Sequence, residues 1–281
     1  MATLEEQLRG KEPGGTWKKI PWWLLIILAF LTFIGVLIIV NPEYRAAFNF
    51  IVGNLGSIDD LLDGEFLAFI GKGISVTLYV TVVSFVISIF LGLLAGLGRV
   101  SHNTAIRNVA TTYVEFVRGL PVLVLIFTFA FVVVPEVSDL IGFDNRSIPG
   151  TTRGIIALSF FYGAFIGEIF RAGIESIPHG QTEAARSLGL TGRQSMRYII
   201  LPQAVRNILP ALGNDFIAIL KDSSLLSVLA VREITQQSRL YSGSTFRFRE
   251  AFLVLTFLYL SLTIVLSLIL QWYGRRIKRN E

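Results

Sequence analysis

The sequence has no cysteine and only two histidines in 281 residues. Without cysteine there can be no disulfide and no thiolate chemistry, and the redox compartment stays open. His102 and His179 have no cysteine or second histidine at metal-ligand spacing, so no metal site is expected. Charge is scarce too. Asp, Glu, Lys and Arg make up 16% of the chain, against roughly 25% in soluble domains. No G-x-x-x-x-G-K-[ST] phosphate loop, H-E-x-x-H zinc motif or G-x-S-x-G elbow occurs. ATP hydrolysis by this chain and any other catalytic role are therefore not expected. There are no long repeats and no low-complexity tracts. The net charge of +5 does not point to nucleic acid. The basic residues sit beside apolar segments, where they set membrane topology.

What is abundant is apolar surface. Hydrophobic types reach 53% and the mean hydropathy is +0.63. This indicates an all-α integral membrane protein. A span needs about 20 mostly apolar residues. Six segments are expected to be helical spans: 21–40, 70–98, 112–134, 153–174, 205–231 and 251–273. The first, Pro21–Val40, is longer than a signal h-region of about 7–15 residues and is followed by "NPEYR", so it reads as a retained helix. The fifth is the least apolar, and Asp215, Lys221 and Asp222 are expected to break it. Residues 41–69 are expected to form an external loop with a short amphipathic helix on the outer surface.

Orientation follows from the short loops. With both termini cytoplasmic, Arg9, Lys11, Lys18, Lys19, Arg99, Arg107 and the tail Arg275–Arg279 all lie inside. One loop disagrees: Arg232, Arg239, Arg247 and Arg249 fall outside.

One polar stretch, "QTEAARSLGLTGRQSMRYIILPQA" (Gln181–Ala204), stands between apolar segments. Thr182 is placed to cap a helix starting at Glu183. Gly189 is placed as the residue that ends it. Thr191 and Gln194 form a T-x-x-Q capping box for a second helix, which Pro202 is expected to interrupt. The stretch thus reads as a rigid two-helix knob on the cytoplasmic side, and Ala184 and Ala185 leave room for close approach of a partner.

From Glu183 the residues read E-A-A, then Gly189, then I-x-L-P at Ile199–Pro202. This resembles the EAA loop of permease subunits of ATP-binding-cassette importers. "YVEFVRGLPVLVL" (Tyr113–Leu125), "GEIFRAGIESIPHGQ" (Gly167–Gln181) and "NDFIAILKDSSLLSVLAVREITQQSR" (Asn214–Arg239) are similar to its polar-amino-acid branch. The resemblance covers roughly residues 70–275 and implies a five-helix permease core. The span 21–40 would then be an extra N-terminal helix, after a cytoplasmic arm at 1–20, with a tail at 276–281. It implies a multi-pass protein of the prokaryotic plasma (inner) membrane. The implied partners are a second permease subunit of the same or a homologous chain, a cytoplasmic ATPase dimer that binds ATP and Mg, and an external amino-acid-binding protein. Glu183, Ala184, Ala185, Gly189, Leu201 and Pro202, within a coupling loop at 178–202, carry over as the ATPase contact. Relatives often have a polar residue near the position of Leu125, so no substrate contact is expected there.

Charges at membrane depth suggest function. Glu115 and Arg118 are three apart and are expected to pair on the third span. Glu168 and Arg171 have the same spacing on the fourth, where Glu168 faces either a polar pathway or Arg171. Asp215, Lys221 and Asp222 point to a polar pathway beside the fifth. Thr77, Thr81, Ser84, Ser88, Gly92 and Gly96 form one stripe. Helix packing is its default explanation, and Thr81 and Ser84 are the pathway candidates in it. Two other classes compete with the importer: an ion-driven secondary amino acid transporter and a membrane scaffold that recruits proteins through the knob.

Overall fold

The computed structural model describes residues 22–53 and 72–278, and every regular element among them is helical. The arm at 1–20, the remainder of the 41–69 loop and the last residues of the tail lie outside the described residues.

Chain order begins with α1 (Trp22–Val40) and α2 (Pro42–Val52), which meet at a bend of 101°. Asn41 makes the corner: its side chain accepts the Glu43 N–H and Pro42 fills the first helical position. Then follow α3 (Lys72–Arg99), α4 (Thr104–Arg118), α5 (Val122–Leu140) and α6 (Gly150–Glu175). The knob comprises α7 (His179–Ser187) and α8 (Gly192–Ser195), the latter running through a π turn at Met196–Ile200 into α9 (Leu201–Asp222). A 3-10 stretch (Ser223–Leu229) leads to α10 (Ile234–Thr245) and α11 (Phe248–Lys278).

By length and composition α3, α5, α6 and the part of α11 at Phe248–Trp272 can cross a membrane, and the bent α1–α2 pair makes a fifth candidate. α9, with Arg206, Asp215, Lys221 and Asp222, is not one of them.

The expected span at 112–134 is replaced by two helices. Gly119 and Pro121 part them: Pro121 adopts an extended ψ of 137° and starts α5 afresh. α4 is amphipathic, with Val114 and Val117 fully buried and Phe116 and Val109 exposed. The expected interruptions of the fifth span also move. α9 is continuous through Asp215 and Lys221 and gives way to 3-10 geometry only after Asp222. A single Asp or Lys costs a helix well under about 1 kcal/mol, so neither residue can break one by itself.

Two prolines are absorbed by the same device. A π turn (Phe129–Val133) precedes Pro135, and another (Met196–Ile200) precedes Pro202. Val134 N–H reaches Phe129 O and Leu201 N–H reaches Met196 O, one residue further back than in an α-helix. The helix therefore runs on past Pro202, where an interruption was expected. In α5 the next acceptor, Ala130 O, loses its donor because Pro135 has no N–H. Arg153 of α6 supplies one: its Nη1 donates to Ala130 O at 2.8 Å.

α3 and α6 form the most extensive helix pair. Their seam depends on glycine: a Cβ on Gly92 would lie 2.5 Å from Ile166 Cγ2, and one on Gly96 2.8 Å from Gly167 O. Around this pair α4, α5 and α9 build one apolar core, with a smaller cluster of Ile166, Ala204, Ile208 and Leu212 between α6 and α9. A second core joins α1, α2, α10 and α11 through Ile34, Ile51, Ile234 and Val254. The α2 helix is thus packed between α10, α11 and the start of α3, where a Cβ on Gly73 would lie 2.3 Å from Ile51 O. Val86, Phe90, Phe131 and Val265 are exposed, as lipid contact requires.

Candidate functional site

The knob is built as its caps dictate, with one change. α7 begins at His179, not Glu183, because Pro178 at ψ 136° already sets the start. Thr182 lies inside the helix and caps nothing. At the other end Gly189, with φ +81°, donates to Arg186 O at 2.9 Å, and Leu190 N–H reaches Ala185 O at 3.1 Å. These two bonds are the Schellman closure. Gln194 N–H donates to Thr191 Oγ1 at 3.3 Å, and Thr191 N–H donates to Gln194 Oε1 at 2.9 Å. Glu183, Ala184 and Gly189 are exposed, as are Leu201 and Pro202. Ala185 is buried inside the knob and offers no surface to a partner. Leu188 projects with 82% of its surface exposed.

An ionic network holds the knob end of the core together. Arg99, at the end of α3, donates to Glu168 Oε2 at 2.6 Å and to Glu115 Oε1 at 3.2 Å. Arg171 bonds both Glu168 and Glu175. Glu168 is therefore a hub tying α3 to α6, and α6 leads straight into the knob. The expected Glu115–Arg118 pair is replaced. Glu115 takes Arg99, and the Arg118 guanidinium lies 5.8 Å over the Phe165 ring. Both sit on α4, outside the span, where Arg99 is the nearer opposite charge for Glu115. Behind the knob a cleft of about 610 Å³ is lined by Arg99, His102, Arg107 and His179.

At mid-core the polar groups converge between α6 and α9. Tyr162 Oη donates to Asp222 Oδ2 at 2.7 Å. Asp215 lies two turns earlier on α9, so it shares a face with Asp222. Both carboxylates thus lie on the side of α9 that meets Tyr162. Asp215 Oδ2 is shielded from solvent and has no hydrogen-bond partner. Lys221 is exposed and stands apart from this group.

Thr81 and Ser84 do not line a path. Both are wholly buried in the α3–α6 seam. Thr81 Oγ1 donates to Thr77 O on its own helix at 2.7 Å, and Ser159 Oγ of α6 donates to Ser84 O at 3.4 Å. The physical reason is the glycine and serine spacing itself, which lets α6 approach too closely to leave a channel. Leu125 is buried as well.

Sequence reasoning missed Tyr162, Arg99 as the partner of Glu168 and Glu115, and Glu233. Tyr162 sits in the apolar run "FFYGAF" with no local signal, since its partner is sixty residues away. Glu233 is fully buried and caps α10, accepting from Thr235 N–H at 2.7 Å, Gln236 N–H at 2.8 Å and Tyr259 Oη at 2.9 Å. Its position just before "ITQQ" is a weak cap signal, because Asp, Asn, Ser and Thr are the preferred caps. Among the described residues no three metal-ligating side chains converge.

Comparison with known proteins adds a name to this geometry. A family model described as "Binding-protein-dependent transport system inner membrane component" matches residues 88–279. The chain is 36% identical to the probable glutamine ABC transporter permease protein GlnM of Bacillus subtilis (strain 168), over 73% of this chain and 91% of that one. It is 35% identical to the glutamine transport system permease protein GlnP of Escherichia coli (strain K12), over 74% and 92%. Among solved structures it is similar to an amino acid ABC transporter crystallised with histidines, with 35% identity and a TM-score of 0.67, over 79% of this chain and 99% of that one. The MetNI methionine ABC transporter shares the fold at 22% identity and a TM-score of 0.58, over 74% and 94%.

Proposed function

Because this chain belongs to the family of binding-protein-dependent transport system inner membrane components, we propose that it forms part of the import pathway for a polar amino acid. It is a multi-pass permease subunit of an ATP-binding-cassette importer. In our reading it pairs with a second permease subunit. A cytoplasmic ATPase dimer, which holds ATP and Mg, docks on the exposed side of α7 and the 188–202 segment, with Glu183 and Ala184 at the contact. An external binding protein delivers the substrate. Both termini are cytoplasmic and α9 completes the sixth crossing, so the core is 70–275 and α1 is the extra helix.

The observation that carries the substrate reading is the Tyr162–Asp222 pair beside the unpartnered Asp215 Oδ2. Asp215 and Asp222, which share a face of α9 and form no ion pair among the described residues, suit the ammonium group of an amino acid. Support for a neutral polar side chain comes from the relatives named for glutamine. Mechanically, a closure of the ATPase pair would push the knob as a rigid body, and α6 and α9, which flank it, would carry the movement to the Asp215 region.

The test is uptake of labelled glutamine by the assembled transporter in proteoliposomes. Asp215→Asn should lower uptake about tenfold, the equivalent of one lost charge-assisted hydrogen bond. ATPase co-purification and basal hydrolysis should stay intact. Unchanged uptake would remove Asp215 from the pathway. Ion-gradient uptake by the chain without an ATPase would establish a secondary transporter instead.

A further inference from the structure

Arg232, Arg239, Arg247 and Arg249 work against the chain's own topology, because basic residues favour the cytoplasmic side. The structure places them at the end opposite the knob. α10 packs on α2, and the Leu229 carbonyl just before it faces Gly150 at the start of α6. Arg247 has a structural use, since its Nη2 lies 3.1 Å from Glu43 Oε1 of α2. Arg232, Arg239 and Arg249 are exposed and form no ion pair among the described residues. Of the two acids in the 231–250 stretch, Glu233 is fully buried beneath α10 and Glu250 is half-buried. Among the described residues, the exposed charge carried by the 231–250 stretch is therefore positive.

Its composition is that of a protein contact. The cations are all arginine, and the stretch from 231 to 250 has no lysine. Arg and aromatic residues are enriched at binding hot spots and lysine is depleted. Phe246 stands at the corner between α10 and α11 with 82% of its surface exposed and φ +59°. A left-handed phenylalanine costs roughly 1–2 kcal/mol, so an exposed one is held out against its own preference. The size also discriminates. α10 has 12 residues, or about 18 Å of helix, with Arg232 just before it and Arg249 just after. That is too wide for one carboxylate or phosphate, and it fits the face of a protein.

We propose that Arg232, Arg239 and Arg249, spread along α10 and its flanks with Phe246 at the C-terminal corner, form the surface on which the external binding protein docks through an acidic face. This rests on the reading above, in which the end opposite the knob is external and a binding protein delivers the substrate. Charges of this kind act chiefly on encounter rate and its salt dependence.

The experiment follows ATP hydrolysis by the assembled transporter in nanodiscs of neutral lipid while loaded binding protein is titrated in. The binding protein used is one that stimulates the wild-type assembly. In the double variant R239E/R249E the concentration for half-maximal stimulation should rise about tenfold or more at low salt. The milder R239Q/R249Q and Phe246→Ala should shift it less, in the same direction. Basal hydrolysis without binding protein should not change, which reports an intact fold. Added salt should weaken the wild-type response and leave R239E/R249E almost unaffected, since salt screens exposed charges beyond about 10 Å. Unchanged half-saturation and salt dependence in all three variants would overturn the docking surface and leave the importer reading standing. A change confined to basal hydrolysis in anionic-lipid nanodiscs would overturn it in favour of a lipid contact. If no binding protein stimulates the wild-type assembly, the importer reading itself fails and takes the surface with it.

Discussion

Glu233 shows how much one side chain can hold. It is buried under α10 yet receives three donors, two backbone N–H groups and the Tyr259 hydroxyl. Burial is the stronger influence and pushes its pKa up from 4.5 to about 7, while those donors pull the other way. An acid with a raised folded pKa binds its proton more tightly folded than unfolded. Its contribution to stability is therefore full below the unfolded value near 4.5 and is lost as pH rises through about 7. The thermal unfolding midpoint of the purified chain in detergent should accordingly fall between about pH 5 and about pH 8. Glu233→Gln keeps an acceptor for the helix N–H groups but cannot titrate, so its profile should be flatter. Equal slopes for both proteins would exclude Glu233 as the source.

At the scale of elements, the knob is rigid because the turn between its two helices is closed on both sides, by the Gly189 and Leu190 N–H bonds and by the Thr191–Gln194 box. The Gly189 turn is the point most open to a clean perturbation. A Cβ there would meet nothing within 4 Å, so only the backbone angle of +81° is at stake. Gly189→Val should cost roughly 1–2 kcal/mol locally and splay α7 from α8. ATPase co-purification should fall several-fold, with the unfolding midpoint of the membrane core unchanged. Gly189→Asn, which tolerates the left-handed region, should retain most of the binding. Retention of full binding by the valine variant would separate ATPase docking from the shape of the knob. The Arg99–Glu168–Arg171 network belongs to the same scale, because it fixes the end of α6 from which the knob projects.

For the whole molecule, the open quantity is how often the chain crosses the membrane. Among the described residues four helices qualify by length and composition, or five with the bent α1–α2 pair, and α9 is not one of them. The absence of cysteine gives a direct test. A membrane-impermeant maleimide should label Ser244→Cys in intact cells. It should label Ser187→Cys only after permeabilisation. Both positions are exposed, so accessibility within the fold does not limit the reaction. Labelling of both from one side would mean that α9 does not cross.

What the sequence determined by itself were the features whose causes are local. Runs such as Gly73–Gly98 specify a span because twenty-odd apolar residues can satisfy their backbone only as helix. The Thr191–Gln194 box and the Gly189 turn were legible because a cap needs its residues within a few positions of each other. The stripe on α3 was readable as close packing for the same reason: spacings of three and four face one neighbour. The tertiary structure decided whatever depends on distant partners. It packed α4, which Gly119 and Pro121 cut from the expected span at 112–134, against α3 and α6, and it gave Glu115 to Arg99 instead of Arg118. It assigned Arg153 to the carbonyl that Pro135 leaves unpaired. It also brought Tyr162 to Asp222, a meeting that no periodicity encodes, because charges and hydroxyls choose partners by distance in space and not along the chain.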